Sequence, residues 1–555
     1  MTAPLPQHPI VLELDLTAEV LEAVPHDPVG RIAARRRTAL RDLVEGLRRA
    51  LDDDQVVGLV AKVGPASTGF ARVQEVREAV RDFASSGRPT VAWAESFGEF
   101  GPGSVPYYLA TAFDQIWLQP SGDVGLTGVV VEARFLRGTL DKLGVTPQFG
   151  QRHEYKNAAN TFQETALTDA HREALSGIAT SVADQMVAGI ADARRLTGDR
   201  VRELLDRAPL SAAEALEAGL VDHVGYRDEA YASLRARVPG DTRLRYLARY
   251  RAGAATKLAR AVRLPRERGR VALVHAVGPV RSGRSGRGPL AGQSIGSDTV
   301  TAALRAAGRD EHVRAVVLRV DSPGGSYVAS DAIWREVAQL RRHGTPVVAS
   351  MGDVAASGGY FVAMGADAVV AQPGTITGSI GVLAGKAVVD GLLGRAGIGY
   401  DDVAVGERAR MFSSTHGFDD AEWAMLDGWL DRVYEDFVGK AAAGRGMTRD
   451  QVHEVARGRV WTGADARDRG LVDELGGLSR AVELARRRGG LPDDAPLVPF
   501  PRVSPLERLR PPESSEDAAA ASVVLGAWGP VAALATRLGL SAGGPLLLPY
   551  DLRIR

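Results

Sequence analysis

The chain has 555 residues, with 68 basic against 68 acidic side chains, no cysteine and 45% hydrophobic residues. That length has room for about three domains, each able to bury its own core. Balanced charge argues against a dedicated nucleic-acid binder, and the lack of cysteine excludes disulfide scaffolds, thiol catalysis and Cys-ligated zinc.

Only six of the basic residues are lysine: Lys62, Lys142, Lys156, Lys257, Lys386 and Lys440. A buried lysine can lose its proton, whereas arginine cannot, so these six are the amines to inspect. The N-terminal stretch MTAPLPQHPIVLELDLTAEV reads as neither signal peptide nor membrane anchor. The expected location is cytoplasmic, or peripheral on the cytoplasmic membrane.

In chain order, VVGLVAKVG (Val56 to Gly64) is a β-branched run that returns as VRAVVLRVD (Val313 to Asp321), an offset of 257. GRPTVAWAES (from Gly87) returns as HGTPVVASMG (from His343), with Pro89 falling on Pro346 at the same offset. YYLATAFDQIWLQP (Tyr107 to Pro120) returns as YFVAMGADAVVAQP (Tyr360 to Pro373), an offset of 253 that also carries Gly125, Gly128 and Gly144 onto Gly378, Gly381 and Gly397. AAEALEAGLVDHVG (Ala212 to Gly225) returns as GADARDRGLVDELG (Gly463 to Gly476) at 251. Four blocks in one order mark a duplicated domain of about 250 residues. The spacing predicts a strand over VVLRVD ending in the turn DSPGGS, then a helix over SDAIWREVAQLRRHG. A strand PVVASM, a glycine-rich turn, a helix through GGYFVAMGA and a strand AVVAQP follow. Alternation of this kind predicts an α/β class with parallel sheets. Long helices are expected over Ala166–Arg195 and over the matching stretch DDAEWAMLDGWLDRVYEDFVGKAAAGR.

The last segment reads as a Pro-, Ser- and acid-rich linker followed by SVVLGAWGPVAALATRLGL (Ser522 to Leu540). That stretch fits a C-terminal helix docking on the body or a partner, or an interfacial helix making peripheral membrane contact.

In an open parallel sheet, sites form at the carboxyl ends of strands. Two turns there stand out. DSPGGS (Asp321 to Ser326) has glycines that leave N–H groups uncovered for an anionic oxygen. AASGGY (Ala355 to Tyr360) places Ser357 at a strand-to-helix turn between small residues. A serine nucleophile needs a base, and none of His275, His312, His343, His416 and His453 lies in a distinctive turn. Lysine is the alternative, if burial lowers its pKa. Lys156, in RHEYKNAANTF after the short strand TPQFG, and Lys386, in GVLAGKAVVD, are the rivals for that role.

DSPGGS, AASGGYFVA and TITGSIGV, with EYKNAANTF in the other half, closely resemble the signal peptide peptidase A (protease IV) family in its long, double-domain form. The resemblance covers about residues 50 to 485. It implies tandem ClpP/crotonase-like domains: an N-terminal copy over 1–255 supplying the lysine, a C-terminal copy over 256–500 supplying the serine, and a linker and apolar tail over 501–555. By the same resemblance Ser357 is the nucleophile, Lys156 the general base, Ser379 the residue that positions the lysine, and the N–H groups of Gly358 and Gly324 the oxyanion donors. It implies a homotetramer acting on peptide substrates such as signal-peptide remnants, without metal or cofactor. Family members commonly carry an N-terminal membrane anchor, which this sequence does not show.

The two halves have diverged in complementary ways. Ser104 falls on Ser357, but in the context GPGSVPY it has lost the Gly-Gly, and Leu126 stands where Ser379 does. The second half has no lysine where the first has Lys156: the aligned stretch is ERARMF. One composite site per chain is therefore expected, with Ser104 not a second nucleophile. The competing readings are a crotonase-type acyl-CoA hydratase or isomerase, and a non-catalytic scaffold of the same fold.

Overall fold

A computed structural model describes residues 8–23, 37–65, 68–250, 269–288, 292–501 and 546–547. The helix expected over 522–540 lies outside the described residues.

The first copy provides β1 (Ile10–Leu16), β2 (Val56–Val63), β3 (Thr90–Ala94), β4 (Gln115–Leu118), β5 (Thr146–Gln151), β6 (His223–Val224) and β7 (Arg243–Tyr246). Its helices are α1 (Leu40–Leu51), α2 (Phe70–Ala84), α3 (Ser104–Ala110), α4 (Asp169–Arg194) and α5 (Arg227–Ala236). Six strands form a parallel sheet in the order β6-β4-β3-β2-β1-β7.

The second copy has β8 (Arg270–Val277), β9 (Val313–Ser322), β10 (Val347–Ala356), β11 (Ala368–Ala371), β12 (Ile376–Gly378), β13 (Leu383–Val388), β14 (Val460–Thr462), β15 (Glu474–Leu475) and β16 (Leu497–Phe500). Its helices are α6 (Ser297–Arg309), α7 (Tyr327–Arg342), α8 (Gly358–Ala363), α9 (Asp420–Arg445) and α10 (Leu478–Arg488). The strands pair as β15-β11-β10-β9-β8-β16, which repeats the first sheet element for element.

Both sheets are covered on two faces, which is why their strands are near-continuous apolar runs. In β2 the side chains alternate: Leu59 and Ala61 join the core under α1 and α2, while Val60 packs with Ala230, Tyr231 and Leu234 of α5. In β9, Val316 and Leu318 face one core and Val317 packs with Ala481 and Ala485 of α10. The duplication extends to single contacts. Tyr107 and Tyr360 each donate a hydroxyl to a carbonyl, Leu220 O at 2.7 Å and Leu471 O at 3.0 Å. Arg194 pairs with Asp222 as Arg445 pairs with Asp473.

The long helices begin slightly later than expected, because Thr168 and Asp419 cap them: each side chain accepts an N–H of the first turn. α4 is the described helix long and apolar enough to cross a membrane, yet its Leu175, Ile178, Val182, Met186 and Ile190 are buried in the first core.

Two strands run further than their sequences suggest. β10 does not stop at Met351. It continues to Ala356, because β12 supplies a second partner for Val354–Ala356 beyond the end of β11. β9 likewise absorbs Asp321 and Ser322 of the DSPGGS turn. Ser357 thus follows a fully paired strand instead of a loose turn.

The copies are joined by a strand pair and a buried ion cluster. β5 of the first copy lies antiparallel to β13 of the second, from Thr146 opposite Val388 to Gln151 opposite Leu383. Arg319 on β9 has no exposed surface and spends all five N–H groups. Nε and one Nη2 hydrogen reach Glu22, the other Nη2 hydrogen reaches Glu75, and Nη1 donates to Ser350 Oγ at 2.9 Å and Met351 O at 3.0 Å. Glu22 and Glu75 belong to the first copy, and Glu75 also accepts the Leu478 N–H of α10 at 2.7 Å.

Candidate active site

Ser357 stands between β10 and α8 with φ +54° and ψ −115°. A non-glycine residue at positive φ is strained, and such strain survives only where the surroundings overdetermine it. Here Ser357 N–H donates to Gly378 O at 2.9 Å and Ser357 O accepts the Phe361 N–H at 2.8 Å. The backbone is held on both sides while the side chain is aimed away from the helix. Glycine at 359 is obligatory, since a Cβ there would lie 2.5 Å from Ser322 O.

Lys156 arrives from the other copy. β5 carries the chain along β13, Arg152 N–H donates to Val382 O at 2.9 Å, and Lys156 then precedes the short helical turn Asn157–Ala159. Its ammonium nitrogen donates to Ser357 Oγ at 2.8 Å, Ser379 Oγ at 2.9 Å and Ser379 O at 3.1 Å. The side chain is 1% exposed. Burial alone pushes its pKa down from 10.5 to about 7, and no acidic group offsets that. Three acceptors suit the ammonium form. After one proton leaves, two N–H bonds to Ser379 can remain while the lone pair faces the Ser357 hydroxyl.

The wall behind the lysine is a loop that the motif reading overlooked. Gly458 N–H donates to Ile380 O at 2.8 Å, and Arg459 O accepts the Ser379 N–H at 2.7 Å. Ser379 itself has φ +52°. Gly458 has φ +85°, and a Cβ there would sit 2.4 Å from Lys156 N. A signal was available: at the 251 offset Gly458 falls on Arg207, so the glycine exists only in the copy that shelters the lysine. Gly458→Ala is expected to displace Lys156 and lower kcat about a hundredfold, since small misplacements of catalytic groups have that effect. Steady-state kinetics beside a thermal melt checks it, and unchanged kcat would show that the lysine tolerates the shift.

The other expected residues fall into three groups. Gly358 opens α8, so its N–H lies outside the helical ladder. The Gly324 N–H is engaged within its own turn, donating to Ser322 Oγ at 3.1 Å. The turn nevertheless adjoins the serine: a Cβ at Gly358 would meet Gly325 N at 3.0 Å and Gly324 Cα at 3.1 Å. Lys386 is elsewhere, on β13, where Nζ donates to Met411 O at 2.7 Å and lies 4.1 Å from the Phe418 ring centre. Ser104 matches Ser357 in place but not in geometry. It begins α3 without positive φ, and its Oγ is closed on Gly128, accepting the N–H at 3.1 Å and donating to the carbonyl at 2.9 Å.

The sequence profile of peptidase family S49 matches residues 82–239 and 339–491, once in each copy and over more than half of the chain. The chain belongs to peptidase family S49. It is 31% identical over 484 residues to the chloroplastic serine protease SPPA of Arabidopsis thaliana, covering 86% of this chain and 69% of that one. It is 30% identical over 486 residues to Protease 4 of Salmonella typhi, covering 81% and 73%. Membership in S49 makes it a serine peptidase, and the crotonase-type and scaffold readings are not favoured. Among solved structures, a mutant ClpP1 from Listeria monocytogenes covers 38% of this chain at 14% identity, with a TM-score of 0.25. That likeness is too slight to argue from. The doubled S49 match and the two parallel sheets carry the tandem α/β architecture by themselves.

Proposed function

We propose that this S49 chain is a Ser–Lys endopeptidase with one composite site, built by an N-terminal copy (1–255) that supplies Lys156 and a C-terminal copy (256–500) that supplies Ser357 and Ser379. The 2.8 Å contact between Lys156 Nζ and Ser357 Oγ, in a pocket that favours the neutral amine, carries the reading. Neutral Lys156 takes the hydroxyl proton as Ser357 Oγ attacks the peptide carbonyl carbon. The oxyanion is held by Gly358 N–H and by Gly324 N–H, the latter released as the Ser322 hydroxyl turns away. Collapse breaks the C–N bond, and the lysine ammonium returns its proton to the leaving amine. Water, deprotonated by the same lysine, then hydrolyses the acyl-enzyme. Ser379 keeps the amine pointed at the serine throughout.

The substrates we infer are unfolded or apolar peptides, signal-peptide remnants among them, in keeping with the relatives named as proteases. A homotetramer and peripheral membrane contact through 522–540 complete the proposal. Sedimentation checks the first, and liposome flotation with and without residues 511–555 checks the second.

A fluorophosphonate is expected to label Ser357, and Ser357→Ala to abolish both labelling and casein hydrolysis, while Ser104→Ala retains both. Hydrolysis that survives Ser357→Ala would overturn the assignment.

A further inference from the structure

Among the described residues, six non-glycine residues hold a positive φ, and four of them meet around Lys156: Ser357, Ser379, His153 and Arg457. Backbone strain of this kind persists only where neighbours enforce it, and it collects at functional sites. The proton transfer uses the two serines but neither His153 nor Arg457. These two lie on the loops that enclose the lysine, one from each copy. His153 O accepts the Lys156 N–H at 3.3 Å, and Arg457 precedes Gly458, whose backbone lies against the lysine. Both loops converge on Tyr434 of α9, which is buried. Its hydroxyl accepts the Arg457 N–H at 3.4 Å, which leaves its own hydrogen for His453 Nδ1 at 3.0 Å. His453 belongs to the short helix Arg449–Val455. The His153 ring packs on Tyr434 with centres 4.5 Å apart and meets the His453 ring edge-on at 5.0 Å. The Arg457 guanidinium pairs with Glu154, two residues before the lysine.

We propose that Tyr434 is a positioning residue for the general base: with His153 and His453 it fastens the Arg457–Gly458 loop over Lys156, keeping the amine dry and aimed at Ser357. The inference rests on the reading of Lys156 as base and adds what keeps that base fit for its task. The divergence of the two copies supports it. At the 251 offset Tyr434, His453 and Arg457 fall on Ala183, Arg202 and Asp206, and at the 253 offset His153 falls on Gly406. A tyrosine that serves only the repeated fold recurs in both copies, as Tyr107 and Tyr360 do. The Tyr434 cluster stands at the composite site and has no counterpart at the degenerate one. Burial first, then His453 and Arg457, hold His153 below its usual pKa, so its ring packs uncharged at neutral pH. The charges that face it are already matched, Arg152 with Asp427 and Asp431, and Arg457 with Glu154. Burial alone lowers Lys156, so water admitted past a loosened loop returns the amine toward its ordinary value.

The test measures kcat and KM on one fluorogenic peptide from about pH 6 to about pH 10 for the wild type, Tyr434→Phe, His153→Gly and Lys156→Met. Tyr434→Phe removes only a hydroxyl, and His153→Gly removes a ring where the backbone already favours glycine, so both variants keep the fold. In each, the midpoint of kcat/KM rises by about one unit, carried by kcat with KM unchanged. Activity then falls about tenfold near pH 6 and about fivefold near pH 7, and is restored near pH 10. Midpoints that stay at the wild-type value in both variants overturn the proposal, even if kcat drops equally at every pH, as loss of a merely structural contact would make it do. Lys156→Met separates the two readings. If it loses hydrolysis while the other midpoints stay put, only the positioning role falls. If it keeps hydrolysis, the base assignment falls and the inference with it.

Discussion

Lys156→Met is expected to cut peptide hydrolysis about ten-thousand-fold while leaving the chain folded and, near neutral pH, more stable. Methionine fills the same volume without a charge, so the pocket between Gly458 and Gly381 stays packed. The stability gain has a definite sign. Below about pH 7 both the folded and the unfolded chain carry the charged lysine, and its full burial penalty is present. Between about 7 and 10.5 the unfolded chain holds a proton that the folded chain has released, and the penalty shrinks as pH rises. The advantage of methionine should therefore be about 2–3 kcal/mol smaller at about pH 9 than at about pH 7. Urea melts at the two pH values check this, and an advantage independent of pH would mean that Lys156 is not buried as a strained base. The wild-type kcat/KM should rise with pH through a midpoint near 7 and then level off, because only the neutral amine accepts the serine proton. If Lys156→Met retains hydrolysis while Lys386→Ala loses it, the base is Lys386.

Arg319→Met is expected to destabilise the chain by about 3–5 kcal/mol, the cost of removing one partner from a buried ion cluster. The guanidinium answers two carboxylates from the other copy and two acceptors on β10, and of the carboxylates Glu75 keeps only the Leu478 N–H as a further hydrogen-bond donor. Burial alone would raise Glu22, but Arg319 beside it holds the carboxyl below its usual value. Glu75 behaves oppositely: burial outweighs Arg319, and its pKa rises to about 7. Without the arginine both carboxylates are pushed up, so the variant regains stability as pH falls and they protonate. Chemical denaturation at about pH 5 and pH 8 checks this, with the larger loss expected at pH 8. Equal losses at both would mean that the cluster is not what couples the copies. The same position shows how a duplicated site specialises. At the 257 offset Arg319 falls on Lys62, which pairs with Glu95 at 2.9 Å near the surface and lies 5.6 Å from the Trp93 ring centre.

Much of this molecule was legible in one dimension. The four repeated blocks established the duplication, and the repeats map onto matching strands, helices and even the Tyr107 and Tyr360 hydroxyl contacts. The apolar runs of β2 and β9 follow from burial on both faces, which any two-layered cover of helices imposes. Ser357 was legible because a serine between small residues and two glycines is conspicuous, and the divergence of GPGSVPY from AASGGY distinguished the two copies. Less was visible in loops. The last residues of β10 depend on pairing with β12, a partner that no local pattern announces. Gly458 is needed only because Lys156 passes within a Cβ's reach.

The sequence by itself determined a neutral, cysteine-free chain of two α/β copies with a serine turn and six candidate amines. The residue patterns left Lys156 and Lys386 open and the family resemblance named Lys156; the tertiary structure places Lys156, not Lys386, beside the serine. Lys386 is nearer to Ser357 in sequence, but β5 lies across β13 and brings Lys156 to 2.8 Å. Tertiary structure likewise gathered His153 and Tyr434, from different copies, into one cluster. Sequence patterns record what each segment buries, whereas a catalytic contact depends on distance and desolvation between segments, and these exist only once the two copies have packed.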